Sequence, residues 1–366
     1  MADGNVIKRK RINYYDTLRV LAILGIITLH IFQRWKTGDV LGMRIYAFSE
    51  ITRFAVPVFL MMSGALLLNR EMPISVFFKK RFSRICYPFV LYILIYIGVL
   101  LFILNTFPGF EDINRYLGYL PFGWNWYFWM ILGVYLSIPI IDVFIRHAKE
   151  SELKYFVAML FVASLFYQIT LYFKISHAIY LNFFVAPLTF IILGYYLSIK
   201  EFKLDAKKII TIALIIFALT TAIKIWSQMG IIPYNLIHNY QATRSPIVSS
   251  YLDLGFLQLI QAGSFFVAFR YLYECKTGIY GSIRGLLENG LVTKFNTSVS
   301  KASYGMYLFH HTLIEPIGIF VKKLALTGTE ICLSIVFLSL FVFFVSWIVV
   351  LCLNKIPFVN KICGYH

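Results

Sequence analysis

Ten apolar blocks, each close to the length that crosses a bilayer, restrict the possible folds of this chain more than any other feature. They lie at about 17–34, 50–69, 85–105, 124–145, 155–173, 179–199, 209–226, 251–272, 304–321 and 331–353. A helical span uses about 20 apolar residues to cross roughly 30 Å of hydrocarbon, so ten spans occupy about 200 residues and leave short connections. The side chains are 60% apolar and 14% charged, whereas a soluble domain holds roughly 45–50% and 25%. The chain is therefore expected to form an all-α, polytopic integral membrane bundle of about ten helices. A soluble enzyme with one anchor is excluded.

Charge sets the orientation. The 34 Lys and Arg against 17 Asp and Glu give a net charge of +17, scattered in short runs between the apolar blocks. Placing the N-terminus inside puts 24 of the basic residues on the cytoplasmic side and ten outside, the bias expected because positive loops resist translocation. Both termini then face the cytoplasm, and topology explains the basic excess without a nucleic-acid partner. Lys8–Arg11 precede an apolar stretch, but no small-residue cleavage site follows, so this reads as a retained first span and not a signal peptide. Blocks five and six, separated by few residues and containing Pro187, are the least certain part of the count. The longest connections, about 106–123, 227–250 and 273–303, are too short to form domains. The expected division is a cytoplasmic segment 1–16, a membrane domain 17–353 and a cytoplasmic tail 354–366. Cys86, Cys275, Cys332, Cys352 and Cys363 contain no CxxC pair, so neither a disulfide framework nor a zinc site is expected, and no metal is assigned.

Ionisable groups inside spans cost about 2.5–3.5 kcal/mol on insertion scales and are candidates for function. The first span holds Asp16, Arg19 and His30. Eleven residues make three turns plus about 20°, so Arg19 and His30 share a face about 16 Å apart along the axis, and Asp16 can pair with Arg19 at i,i+3. A neutral imidazole moves protons well near pH 7. The same residues also suit a simpler arrangement, with Arg19 an inner anchor and His30 hydrogen-bonded near the outer surface. Arg53 lies at the outer turn of the second span, as an anion or oxyanion contact or as a snorkelling anchor. Ser63-Gly64 reads as a packing pair. In the ninth span His310, His311 and Glu315 form a second polar site, either a proton relay or an internally satisfied group. Asp142, Asp253 and Lys224 read as capping or snorkelling residues.

These residues resemble a family. Asp16, Arg19 and His30 are similar to the Arg/Lys-x10-His signature of membrane-bound acyltransferase family 3, the surface-polysaccharide O-acyltransferases. Arg53-Phe-Ala-Val-Pro57 through Ser63-Gly64 resembles its V-P-x-F-x-x-x-S-G block, and Arg81-Phe-Ser-Arg84 its RxxR motif. Trp126 through Gly133-Val-Tyr135, with Pro139, and Ser303-Tyr304-Gly305-Met306-Tyr307-Leu308-Phe309-His310 resemble two further blocks. The matches follow family order from residue 16 to 311. Trp124 departs from the pattern, standing where several members carry histidine.

The resemblance implies a multi-pass enzyme of a bacterial plasma membrane. It would move an acyl group, most often acetyl, from cytoplasmic acyl-CoA to a hydroxyl of an envelope glycan or lipid-linked sugar. Some relatives add an extracytoplasmic domain after the last span; a stand-alone membrane domain is expected here. On this reading Arg81, Arg84 and Arg19 hold the donor phosphates, because a guanidinium fork pairs well with phosphate, and His30 is general base or transient acyl carrier. The competing class is an exporter or flippase of a saccharide or lipid-linked glycan, which buried His, Glu and Arg would also suit; the two halves show no convincing repeat in its favour.

Overall fold

The apolar blocks coincide with helices wherever the computed structural model describes them: residues 11–35, 40–104, 109, 126–172, 187–229, 255–321 and 327–366. Among the described residues twelve α-helices run in order: α1 Asn13–Phe32, α2 Val40–Ala47, α3 Ala55–Leu67, α4 Ile74–Leu104, α5 Trp126–His147, α6 Glu150–Tyr172, α7 Leu188–Ile199, α8 Ala206–Gln228, α9 Phe256–Leu272, α10 Gly278–Leu287, α11 Gly290–Val321 and α12 Gly328–Lys355. No strand occurs among the described residues. Among the described residues six helical stretches are long and apolar enough to cross a membrane: Asn13–Trp35, Val40–Leu67, Ile74–Val99, Trp126–His147, Ala206–Gln228 and Gly328–Lys355. Shorter apolar helices, α7 and α9, accompany them. The structure is thus an all-α membrane bundle. Trp124, Asp253 and most of the expected outer connections lie outside the described residues.

α1 is the central element. It packs against α3, α11 and α12, with Leu18, Ala22, Ile23 and Ile27 fully enclosed. Lipid tails are as apolar as these side chains, so close packing and polar contacts between helices, not escape from water, hold such a bundle together. The α3–α7 crossing illustrates the first. A Cβ placed on Gly64 would run into the backbone of Ile191, and one on Gly194 into the backbone of Met61. Ser63-Gly64 is therefore a packing element, as expected, and Gly194 is its counterpart. Gly64→Ala and Gly194→Ala should each cost about 1–3 kcal/mol through overpacking, read as a lowered thermal midpoint in detergent. Gly98→Ala serves as the control, because nothing lies within 4 Å of a Cβ there.

Three expectations require correction. The stretch 273–303 is not an open connection: it contains α10 and the first turns of α11, which begins at Gly290 and not near 304. Hydropathy missed these turns because they are polar, and they are polar because they pack on polar residues of α1. Asn296 donates to Thr17 Oγ1 at 3.0 Å, and Arg19 donates to Ser300 at 3.2 Å. The second span likewise begins earlier, with α2 and a short 3-10 turn, Phe48–Ile51, leading into α3.

Lys224 neither snorkels nor caps a helix. It is 4% exposed, and its Nζ contacts Glu50 Oε2 at 2.8 Å, Gln258 Oε1 at 2.5 Å and Gln261 Oε1 at 2.9 Å. Gln261 in turn donates to the Glu50 carbonyl, and Gln258 to the Arg53 carbonyl. This network ties α8 and α9 to the turn before α3.

The segment after α12 folds back over one end of the bundle. Tyr92 donates to the Cys363 carbonyl at 3.0 Å, and the His366 amide donates to the Lys301 carbonyl at 2.9 Å. Gly305 permits this approach, because a Cβ there would meet the Cys363 carbonyl at 2.6 Å.

Candidate active site: a cationic cavity beneath a histidine cluster

A cavity of about 310 Å³ lies between α1, α3, α4, α5 and α11, at the end of the bundle that holds the N-terminal end of α1. Its polar part carries Arg19, Arg84, Lys301 and His366; deeper in, Ile26 and Phe59 line it. One wall is a stripe on α5, Tyr127, Ile131 and Tyr135, spaced i, i+4, i+8 so that all three share a face. Opposite stand Ser300, Tyr304 and Tyr307 of α11, at i, i+4, i+7. Desolvation at the mouth and the neighbouring Arg84 guanidinium lower the His366 imidazole below its usual value, so near pH 7 it is a neutral hydrogen-bonding group and not a cation.

Arg19 is held in place from two helices. Its Nη1 donates to Ser300 Oγ at 3.2 Å and lies 3.8 Å from Asp16 Oδ1. The closer partner of the buried Asp16 is Arg11, whose Nε and Nη2 reach the two carboxylate oxygens at 2.5 and 2.8 Å. The expected Asp16–Arg19 pair exists, but the bidentate one is with Arg11. A buried carboxylate between two guanidiniums leaves net positive charge at this end of α1.

Arg81 and Arg84 diverge. Arg84 lines the large cavity, whereas Arg81 lines a separate one of about 30 Å³ with Arg70, Phe77 and Asp142. Spacing of i,i+3 keeps both on the same side of α4, yet the helix edge between them divides two spaces. Asp142 accepts from the Arg70 amide at 3.2 Å and pairs with Arg146 at 3.0 Å, so it neither caps a helix nor snorkels but ties the turn after α3 to α5.

One turn beyond the cavity stands the histidine cluster. His30 follows Ile26 by four residues, and His310 and His311 follow Tyr307 by three and four. The His30 ring centroid is 5.2 Å from that of His310 and 4.3 Å from that of His311, and those two are 4.2 Å apart. His310 and His311 are buried and His30 is partly exposed. Ligand-capable atoms of the three rings all lie within 4.8 Å of one another. His30 Nδ1 contacts Gln33 Oε1 at 2.9 Å, and His310 Nδ1 contacts the Tyr307 carbonyl.

Glu315 pairs with Arg34 at 3.0 Å. The second polar site is therefore divided: its histidines join His30, and its carboxylate neutralises an arginine that had been counted only toward topology. Arg53 is not an open anion contact. Its Nε lies 2.7 Å from Glu50 Oε1 and its Nη2 donates to Tyr46 Oη at 2.9 Å, which makes it part of the Lys224 network.

Sequence reasoning missed Arg11, Glu50, Lys301, His366 and the tyrosine wall. The i, i+4, i+8 spacing of Tyr127, Ile131 and Tyr135 was the available signal for the wall; nothing local distinguishes Lys301 from an ordinary cytoplasmic lysine.

No curated protein and no solved structure matched the chain. A family model described as an acyltransferase domain matches residues 12–353, a range that includes α1 with Arg19 and His30, the tyrosine wall and the histidine pair of α11. With nearly the whole chain matched, this membrane protein belongs to acyltransferase family 3.

Proposed function

We propose that this membrane acyltransferase takes its acyl group from cytoplasmic acyl-CoA, most often acetyl-CoA, and delivers it to a hydroxyl of an envelope glycan or lipid-linked sugar at the outer face of the plasma membrane. The observation that carries this reading is the alignment of the cationic cavity and the histidine cluster along a single face of α1, one turn apart. Arg19, Arg84 and Lys301 suit the phosphates of the donor, and the 310 Å³ space suits a thin pantetheine arm and not a nucleotide. The thioester then stands one turn from His30. The acceptor hydroxyl gives up its proton, its oxygen bonds to the acyl carbon, the carbon–sulfur bond breaks, and the coenzyme thiolate leaves and is protonated. His30 either takes that hydroxyl proton or first carries the acyl group on its imidazole and passes it on.

Membrane vesicles of known orientation, supplied with radiolabelled acetyl-CoA at the cytoplasmic face, test this directly. Label is expected in glycan or lipid-linked sugar. Glycan crossing the membrane with no label from any offered acyl-CoA would instead support an exporter.

Arg84→Lys keeps the charge but loses the guanidinium fork. Losing one charge-assisted hydrogen bond of about 1.5 kcal/mol should raise the donor KM roughly tenfold, with kcat little changed. An unchanged KM would remove Arg84 from donor binding. Arg81→Lys, in the other cavity, should leave the donor KM unaltered.

A further inference from the structure

Three imidazoles drawn together inside a bundle need a reason, because a ring nitrogen buried away from water seeks a partner. We propose that His30, His310 and His311 form a binding site for a borderline transition cation of the zinc class, with a fourth position open to water or to a hydroxyl.

The argument starts from which nitrogen carries the proton. His310 Nδ1 faces the Tyr307 carbonyl and His30 Nδ1 faces the Gln33 amide oxygen. A carbonyl oxygen only accepts, so both Nδ1 atoms donate, and each Nε2 keeps a lone pair. Histidines that ligate metals characteristically hold the other ring N–H on a carbonyl or carboxylate in this manner, which fixes the tautomer and the ring orientation. His310 Nε2 is buried and has no hydrogen-bond partner among the described residues. His311 supplies the third ring, closer to each of the other two than they are to one another. Zinc–imidazole bonds of about 2.0–2.1 Å place ligand nitrogens a little over 3 Å apart in a tetrahedral site. Nitrogens already within 4.8 Å of one another reach that spacing by small side-chain rotations. Three neutral nitrogen donors with an open fourth position match the ligand count of catalytic zinc sites and the preference of imidazole for zinc and its neighbours.

Use of this cation in the reaction rests on the acyl-transfer reading above. An acceptor hydroxyl in the fourth position loses its proton to water at the outer end. Its oxygen bonds to the acyl carbon as the carbon–sulfur bond breaks, and the departing thiolate is protonated from the cytoplasm. In that form His30 is a ligand and not the base.

The test uses the full chain, without any histidine tag, stripped with a chelator in detergent and titrated with Co²⁺ alone. The expected result is visible ligand-field absorption that saturates at roughly one Co²⁺ per chain and is bleached by Zn²⁺. His310→Gln and His311→Gln should each abolish it, while His147→Gln, in an exposed position on α5, should not. Absence of the absorption in folded wild type, or its persistence unchanged in folded His310→Gln or His311→Gln, would overturn the site. Should one of these fail to fold, judged by its elution as a single detergent-bound species, the other decides. Transfer retained in cation-free protein would overturn the metal's part in the reaction and leave the acyltransferase reading intact. A normal cobalt signal without transfer from any acyl-CoA would uphold the site and count against the donor.

Discussion

His30→Ala should lower acyl transfer about a thousandfold, within the range that a positioned acid–base group contributes, while the protein elutes and melts as wild type does. The change removes the one imidazole contributed by α1 and spares Ile26, the residue of the preceding turn that lines the cavity. Donor binding, which the proposed function assigns to Arg84 and to Arg19 about three turns below, should therefore persist, so the loss falls on kcat and not on the donor KM. The label-transfer assay together with equilibrium binding of a nonhydrolysable acyl-CoA analogue separates the two. Wild-type transfer by the variant would remove His30 from the reaction.

The largest effect on stability should come from Glu50→Gln. Glu50 is 0% exposed and contacts both Arg53 Nε and Lys224 Nζ. Neutralising it leaves two cations enclosed without the Glu50 carboxylate. Breaking a buried pair by removing one partner costs about 3–5 kcal/mol, because a desolvated charge has lost its counter-charge. Lys224→Met should cost less, since Glu50 keeps Arg53. The double variant Glu50→Gln/Lys224→Met should recover part of the Glu50→Gln loss, and that recovery measures the coupling. Thermal midpoints in detergent report all three; a Glu50→Gln protein as stable as wild type would mean that water reaches the network.

The spans were legible because their signal is long and redundant: about 20 apolar residues in a block identify a membrane helix whatever surrounds it. The polar machinery was legible only where one helix carries it. Arg19 and His30 share a face by their spacing alone, and Asp16 is near enough to pair. What α11 brings to them was not, because Ser300, His310 and His311 reach α1 across roughly 280 residues of chain, and no local pattern encodes that distance. The same holds for Glu50, which in sequence is one acid in a short connection. Only the arrival of Lys224 and Gln261 from α8 and α9 explains why it is tolerated at no exposure. The RxxR pair shows the opposite error: residues three apart on one helix were expected to share a ligand, and the helix edge sends them to different spaces.

The single turn between Ile26 and His30 also has an electrical meaning. If the cavity fills with solution, the transmembrane voltage falls mainly across the partition between Ile26 and His30, about 6 Å of helix. On the proposed function an uncharged acyl group crosses that partition, which by itself does no electrical work. The proton bookkeeping decides the rest. If the proton given up by the hydroxyl travels inward to the thiolate as the acyl group travels outward, turnover is electrically silent. If it is released outside, negative charge shifts inward against an inside-negative potential, at up to about 2.3 kcal/mol per 100 mV for a full crossing. The voltage dependence of turnover in polarised vesicles thus reads out which side of a partition one turn thick receives the proton.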